Sequence, residues 1–304
     1  ESFGSYLIRT AQFNGVDRLL RWKNSLRLTS QALRDLPPAN FGEMARLLNL
    51  TTDQLLTTTF YYVREKFLCD GKQLISLLCG VLGKGLRYCP VCLAETGYYR
   101  LPWRLLTIPG CEQHYCRLRE TCPHCGQALP LIPAHLKLSI CEYCGRDLAD
   151  APVVGLTDEE WDTTHVRTAD MTYLLQPQSM TYYLPVAEKL ARLRQLFGIS
   201  LDDLARYLRL KKAELRHFEH HSSRSILERY LNYADYLELS LREVLAYREH
   251  ALDMPQEEIG RIRVIGQAKR QVLISQANAY ETELLQRVVA AVTQLRTAGQ
   301  SDCQ

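Results

Sequence analysis

Between Ser2 and Leu86 the apolar positions recur three and four residues apart, as at Leu7 and Ala11 and again at Leu19 and Leu20, the period of amphipathic helices. Leu36, Pro37 and Pro38 interrupt that rhythm. After them, "FGEMARLLNLTTDQLLTTTF" predicts a short helix, a turn at Asn49 and Leu50, and a second helix capped by Thr51 or Thr52, which is helix-turn-helix spacing. From Tyr88 to Asp150 prolines, glycines, aromatics and cysteines replace the helical pattern. A polar connection follows, with room for one short helix, and the helical rhythm resumes from Glu188 to about Thr297. There Ser200 is placed to cap a helix carrying Leu204, Ala205 and Leu208, and a tight turn leads into a second helix from about Lys211 to His220 with Leu215 and Phe218 inward. Two more helices start near Ser225 and Ser240. The final run places Ile262, Ile265, Val272, Leu273, Ala277, Tyr280, Leu284, Val288, Val292 and Leu295 near one face, suited either to its own domain or to a homodimer or other partner.

This pattern predicts a mainly α fold in five parts. They are an N-terminal helical, helix-turn-helix-like domain (1–87), two tandem zinc ribbons (88–150), a linker (151–185), a C-terminal helix-turn-helix domain (186–250) and a long terminal amphipathic helix (251–304).

Cysteine placement changes the picture of the middle region. Eight of the eleven cysteines lie between Cys89 and Cys144. The ligand pairs are "CPVC" (Cys89, Cys92), "CEQH" (Cys111, His114), "CPHC" (Cys122, Cys125) and "CEYC" (Cys141, Cys144). Eighteen residues separate the first pair from the second and fifteen the third from the fourth, both ribbon spacings, and four pairs make two structural zinc ions. Consecutive ribbons would join the first pair to the second and the third to the fourth, and a cross-braced module would join the first to the third; the short link from Tyr115 to Thr121 favours the consecutive form. Cys116 and His124 are then surplus, and Cys69 and Cys79 read as small buried residues on apolar helix faces. In "YYRLPWRLL", Tyr99, Leu101 and Trp103 are expected to pack over the zinc.

Catalytic zinc keeps an open coordination position. Both predicted sites are filled and rich in thiolate, and the chain has neither HExxH nor the deaminase HxE followed by CxxC. It also lacks a P-loop, a convincing acidic transposase triad and a nucleophile elbow, so no catalytic residue is assigned and no enzyme is expected. A net charge of +3 and a pI near 8.3 are too weak to imply nucleic acid on their own. No stretch approaches the roughly 20 apolar residues a membrane helix needs, and the start has no signal pattern, so a soluble, cytoplasmic protein is expected. The sequence opens on Glu1 rather than Met, so residues preceding it are expected.

The segment from Leu190 to Leu245 resembles the Cro/repressor helix-turn-helix domain, with the small Ala205 at the helix crossing and Glu219 ending the second helix. That resemblance implies that Lys211, Lys212, Glu214, Arg216 and His217 face DNA or a partner. Arg209 stands where that family usually has glycine in the turn, and His221 where glycine usually follows the glutamate.

A broader resemblance rests on "ESFGSYLIRTAQFNG", CPxC, "YYRLPWR", CxxHxxxLxxxCPxCG and a closing CxxCG with "RDL". Over roughly residues 1–150 these are similar to the TniQ family, which includes the TnsD target selectors. The resemblance implies a non-enzymatic transposition adaptor. Its partners would be a TnsC-like AAA+ ATPase regulator on one side and a CRISPR RNA-guided effector or target DNA on the other, with the transposase reached indirectly. A TnsD-like attachment-site selector or a zinc-containing transcription regulator is the alternative.

Overall fold

The computed structural model describes residues 1–16, 24, 26–28, 32–37, 39–177, 184–220 and 225–246. The amphipathic run predicted over 251–304 and residues 178–183 of the predicted linker lie outside them. The described residues are mainly helical. In the N-terminal part the helices are α1 (Phe3–Phe13), α2 (Phe41–Leu47), α3 (Thr52–Thr57), α4 (Tyr61–Lys66) and α5 (Gly71–Leu77). The middle contributes α6 (Pro90–Thr96) and a two-stranded antiparallel pair, β1 (Gly110–Cys111) with β2 (Cys116–Arg117). α7 (Asp158–Leu174), α8 (Val186–Leu196), α9 (Leu201–Tyr207), α10 (Lys212–His220), α11 (Leu227–Tyr236) and α12 (Leu241–Ala246) follow.

The stretch expected to be a linker is a correction. Residues 158–174 form a 17-residue helix, with Thr157 as its N-cap and Glu160 completing a capping box. α7 has little amphipathic pattern because it is held by polar as well as apolar contacts, so periodicity could not reveal its burial. Met171 and Leu174 are buried in the same core as Phe60, Val63 and Leu74 from the N-terminal helices and Leu190, Leu204 and Tyr230 from the C-terminal ones. Asp170 accepts from the Arg242 backbone N–H at 2.8 Å, and Arg167 bonds Asp170 and Asp235. The separation into independent helical domains at 87 and 186 therefore does not describe the packing, since one hydrophobic core spans both ends.

A second core lies around the cysteines and takes in Ile8 and Ala11 of α1, Tyr88, Tyr99, Trp103, Leu118 and Leu148. A buried ion pair fixes α1 beside it. Asp35, fully buried, accepts from the Gly4 N–H at 2.8 Å and from Arg104 Nη1 at 2.8 Å, while its own carbonyl accepts from the Phe60 N–H. Ser2 N–H donates to the Tyr99 carbonyl, and Tyr99 N–H to Ser5 Oγ. Cys79 is exposed and Cys69 half-buried, so only the second is near the expected position on a packed face. Burial pushes the Cys69 thiol up to about 11, which keeps it protonated and inert.

The two helix-turn-helix pairs share one backbone solution. In α2–α3, Leu48 N–H donates to Met44 O, Asn49 N–H to Arg46 O and Leu50 N–H to Ala45 O. In α9–α10 the same bonds run from Leu208 to Leu204, Arg209 to Arg206 and Leu210 to Ala205. Asn49 and Arg209 both stand at φ +54. The Thr51 and Lys211 N–H groups then donate to the side-chain oxygens of Gln54 and Glu214, which reach back to them. The sequences ARLLNLTTDQL and ARYLRLKKAEL, from Ala45 and Ala205, match at these positions, a signal that pattern reading had left unused. Left-handed φ disfavours a long side chain such as arginine. Arg209→Gly is accordingly expected to raise stability by about 0.5–1 kcal/mol in denaturant unfolding, relief of strain exceeding the added unfolded-state entropy.

Candidate metal centres

The CPVC segment is not the knuckle turn expected of a ribbon. Cys89 is the N-cap of α6, its Sγ accepting from the Cys92 N–H at 3.4 Å, and Pro90 occupies the first helical position, where its missing N–H costs nothing. One turn of helix carries Cys92 to the same side. The facing ligands come from the β1–β2 hairpin, whose tip holds Glu112 to Tyr115, with Tyr115 at φ +52.

Together these elements bring Cys89, Cys92, Cys111 and His114 together, all four donor atoms lying within 4.8 Å of one another. Cys92 Sγ is 3.6 Å from Cys111 Sγ, and His114 Nδ1 is 3.2 Å from Cys92 Sγ and 3.4 Å from Cys89 Sγ. The other imidazole nitrogen, Nε2, lies 3.1 Å from Glu95 Oε2, so a carboxylate on α6 orients the ring with Nδ1 toward the sulfurs. This helix-end cluster is buried, Cys89, Cys92 and Cys111 being at most 2% exposed.

The second unit is built from two matching knuckles. Cys122 N–H donates to Gln127 O and Gly126 N–H to Cys122 O; Cys141 N–H donates to Arg146 O and Gly145 N–H to Cys141 O. Gly126 and Gly145 stand at φ +72 and +70, the left-handed conformation that closes each turn. Cys122, Cys125, Cys141 and Cys144 form a second group within 4.8 Å, with Cys122–Cys144 at 3.6 Å and Cys125–Cys141 at 3.7 Å between sulfurs. Cys125 and Cys144 reach solvent.

Two thiolates each about 2.3 Å from one tetrahedral ion stand about 3.8 Å apart, so both donor sets have the chemistry and the spacing for a four-coordinate metal. The crowding itself points to a cation. Hydrogen bonding to Cys111 pushes the Cys89 and Cys92 thiols up, while acceptance from Cys89 and Cys92 pulls Cys111 down, because the site cannot hold three uncompensated negative charges. The pairing is consecutive, each group drawing on neighbouring pairs in the chain. Neither group leaves a protein donor unmatched in a way that opens a fourth position for chemistry.

The surplus residues divide. His124 is outside the knuckle cluster, its Nδ1 3.5 Å from Arg146 Nη1. Cys116, read from the sequence as a bystander, is instead buried with its Sγ 3.5 Å from Cys89 Sγ. Spacing could not place it, because the antiparallel register sets Cys116 opposite Cys111 only once the hairpin has formed. Tyr99 and Trp103 are buried in the core around the cysteines, and Tyr99 OH donates to the Leu138 carbonyl; Leu101 packs into the larger core instead.

The residues proposed to face DNA or a partner lie along α10 and its approach. Lys211, Lys212, Glu214, Arg216 and His217 are all exposed. Two of them already have local work: Lys212 Nζ pairs with Asp202 at 2.7 Å, and Glu214 turns back to accept from the Lys211 N–H, so it caps the helix rather than projecting outward. Underneath, Glu219 is buried and accepts from Arg194 Nε and Nη2 and from Tyr233 OH.

The fold and these centres define a mainly helical protein carrying two closed, cysteine-rich donor groups that could each hold a metal ion. The family described as TniQ matches residues 1–118, from α1 through β2, which includes every ligand of the helix-end cluster. Over those residues the chain is similar to the TniQ family. No curated protein matches the chain. Among the described residues no helix is long and apolar enough to cross a membrane.

Proposed function

We propose that the protein is a non-enzymatic targeting adaptor of transposition, with two zinc ions as scaffolding, joining a target-recognition complex to a TnsC-like AAA+ ATPase regulator that brings in the transposase. The observation that carries this reading is the TniQ match itself, because it runs through the whole β1–β2 hairpin and so takes in all four residues of the helix-end cluster. Zinc held by Cys89, Cys92, Cys111 and His114, and by Cys122, Cys125, Cys141 and Cys144, would neutralise the thiolates and tie together the turns, the α6 N-terminus and the hairpin that carry them. The closed donor sets suit a scaffold better than a reaction centre.

On this reading the target-recognition complex is a CRISPR RNA-guided effector, and the N-terminal and metal-bound regions face the ATPase. The protein is then expected to co-elute with a guide-RNA effector and with the ATPase while showing no sequence preference for duplex DNA alone. Absence of either interaction in size-exclusion chromatography would count against it.

The exposed cations of α10 favour a second reading, a TnsD-like site selector or zinc-containing regulator. The second helix of the N-terminal pair has the same backbone but presents Thr52, Asp53 and Gln54, so only α10 has the charge to approach phosphates. If the selector reading holds, Arg216→Ala weakens DNA binding by about 1–3 kcal/mol at particular base pairs, whereas Lys211→Ala weakens all sequences alike and lowers the salt slope by about one. Fluorescence anisotropy across a salt series separates these outcomes from the adaptor's indifference to sequence.

A further inference from the structure

Beside the four donors of the helix-end cluster, Cys89, Cys92, Cys111 and His114, stands a further cysteine, Cys116. β1 and β2 pair with Cys111 opposite Cys116, so both side chains belong to one hairpin rung. The Cys116 side chain is 1% exposed, and it is directed at sulfur: its Sγ stands 3.5 Å from Cys89 Sγ. That separation equals those within the four-membered groups, 3.6 Å for Cys92–Cys111 and 3.6 Å for Cys122–Cys144. A cysteine that merely filled apolar space would have no reason to adopt ligand spacing. The weakest-held member of the set is His114. Its side chain is 17% exposed, and the Glu95 carboxylate that orients it is 55% exposed.

We propose that Cys116 is a fifth donor of this centre, a thiolate that takes the place of His114 so that the ion is held either by three cysteines and a histidine or by four cysteines. Both donor sets are known forms of closed structural zinc sites. In the exchange the His114–metal bond breaks, a Cys116–metal bond forms and the Cys116 thiol proton passes to solvent; no oxidation occurs. The consequence is mechanical. The hairpin tip, Glu112 to Tyr115, can leave the metal while Cys111 and Cys116 at its base keep hold of it. That tip carries the exposed Tyr115, stacked on Trp161 at 4.3 Å, and Glu112, bonded to His165 at 2.7 Å, so the exchange would free a surface joined to α7 without loss of the ion.

This inference rests on the reading that the cysteine groups bind metal, and the test separates the two. Elemental analysis of the wild-type chain should give two zinc ions; fewer would sink the metal reading whatever Cys116 does. His114→Ala is expected to keep both ions. In its cobalt-loaded form the near-ultraviolet thiolate-to-cobalt absorption should rise by about one-seventh, from seven sulfur ligands to eight. His114→Ala with Cys116→Ser should retain only one ion, and Cys116→Ser alone should retain two. A single ion in His114→Ala overturns the exchange, as do two ions in the double variant or one in Cys116→Ser, which would make Cys116 a permanent ligand. Should His114→Ala fail to fold, zinc transfer from the folded wild type and Cys116→Ser to a chelator decides the matter: several-fold faster loss from the helix-end cluster without Cys116 supports the exchange, and equal rates overturn it.

Discussion

Chelation is expected to strip the protein of metal in two phases, the knuckle cluster first and the helix-end cluster later, with most of the loss of structure in the second. The order follows from access. Cys125 and Cys144 reach solvent, whereas Cys89, Cys92 and Cys111 are sealed under Tyr88, Tyr99 and Trp103. The structural consequences differ because the knuckle cluster organises turns alone. Its loss should leave far-ultraviolet circular dichroism nearly unchanged. The helix-end cluster holds the N-terminus of α6 and the hairpin, and its surrounding core includes Ile8 and Ala11 of α1. Structural zinc sites contribute on the order of 10 kcal/mol of apparent binding free energy, comparable to the whole stability of a small domain. Cys111→Ser should therefore unfold the region around α6 and loosen α1, while Cys144→Ser should abolish only the fast phase. Metal release followed with a colorimetric chelator, alongside circular dichroism, checks both; simultaneous release from the two centres would contradict the argument.

Glu219→Ala is expected to destabilise the C-terminal helices by about 3–5 kcal/mol, because it strands a buried guanidinium. Arg194 donates to Glu219 through Nε at 2.7 Å and Nη2 at 3.0 Å, and through Nη1 to the Ile199 carbonyl at 2.9 Å; Tyr233 OH donates to the same carboxylate at 2.6 Å. Burial, with the facing carboxylate added to it, pushes the Tyr233 phenol upward and keeps it protonated as a donor. The network joins α8, α10 and α11 beneath the exposed face of α10, so its loss would move that face as well as weaken the core. Arg194→Met together with Glu219→Leu should recover much of the stability, since replacing both partners by apolar side chains leaves no orphaned charge. Urea unfolding of the three chains measures this. An effect below about 1 kcal/mol for Glu219→Ala would mean that water reaches the pair and screens it.

What the sequence determined by itself was local. Cap residues followed by an apolar period located both helix pairs, because Thr51 and Ser200 act on N–H groups two or three residues away. Pair spacing located the two cysteine-rich clusters for the same reason: residues three positions apart are brought to one side by a single turn, whether that turn is a knuckle at Cys122 or a helix end at Cys89. The tertiary structure decided whatever depended on distant chain. α7 looked like a linker because much of its hold on the protein runs through polar partners far along the chain, Asp170 to Arg242, Arg167 to Asp235 and His165 to Glu112, which leave no apolar period in its sequence. The N-terminal and C-terminal helices, given separate domains by the change in composition between them, share one core because Phe60 and Leu74 meet Leu190 and Tyr230 only after the chain has folded back, while the α2–α3 pair buries Met44, Ala45, Leu48 and Leu55 in another. Cys116 came beside Cys89 through strand register, and register follows from pairing between segments rather than from any residue's neighbours in sequence.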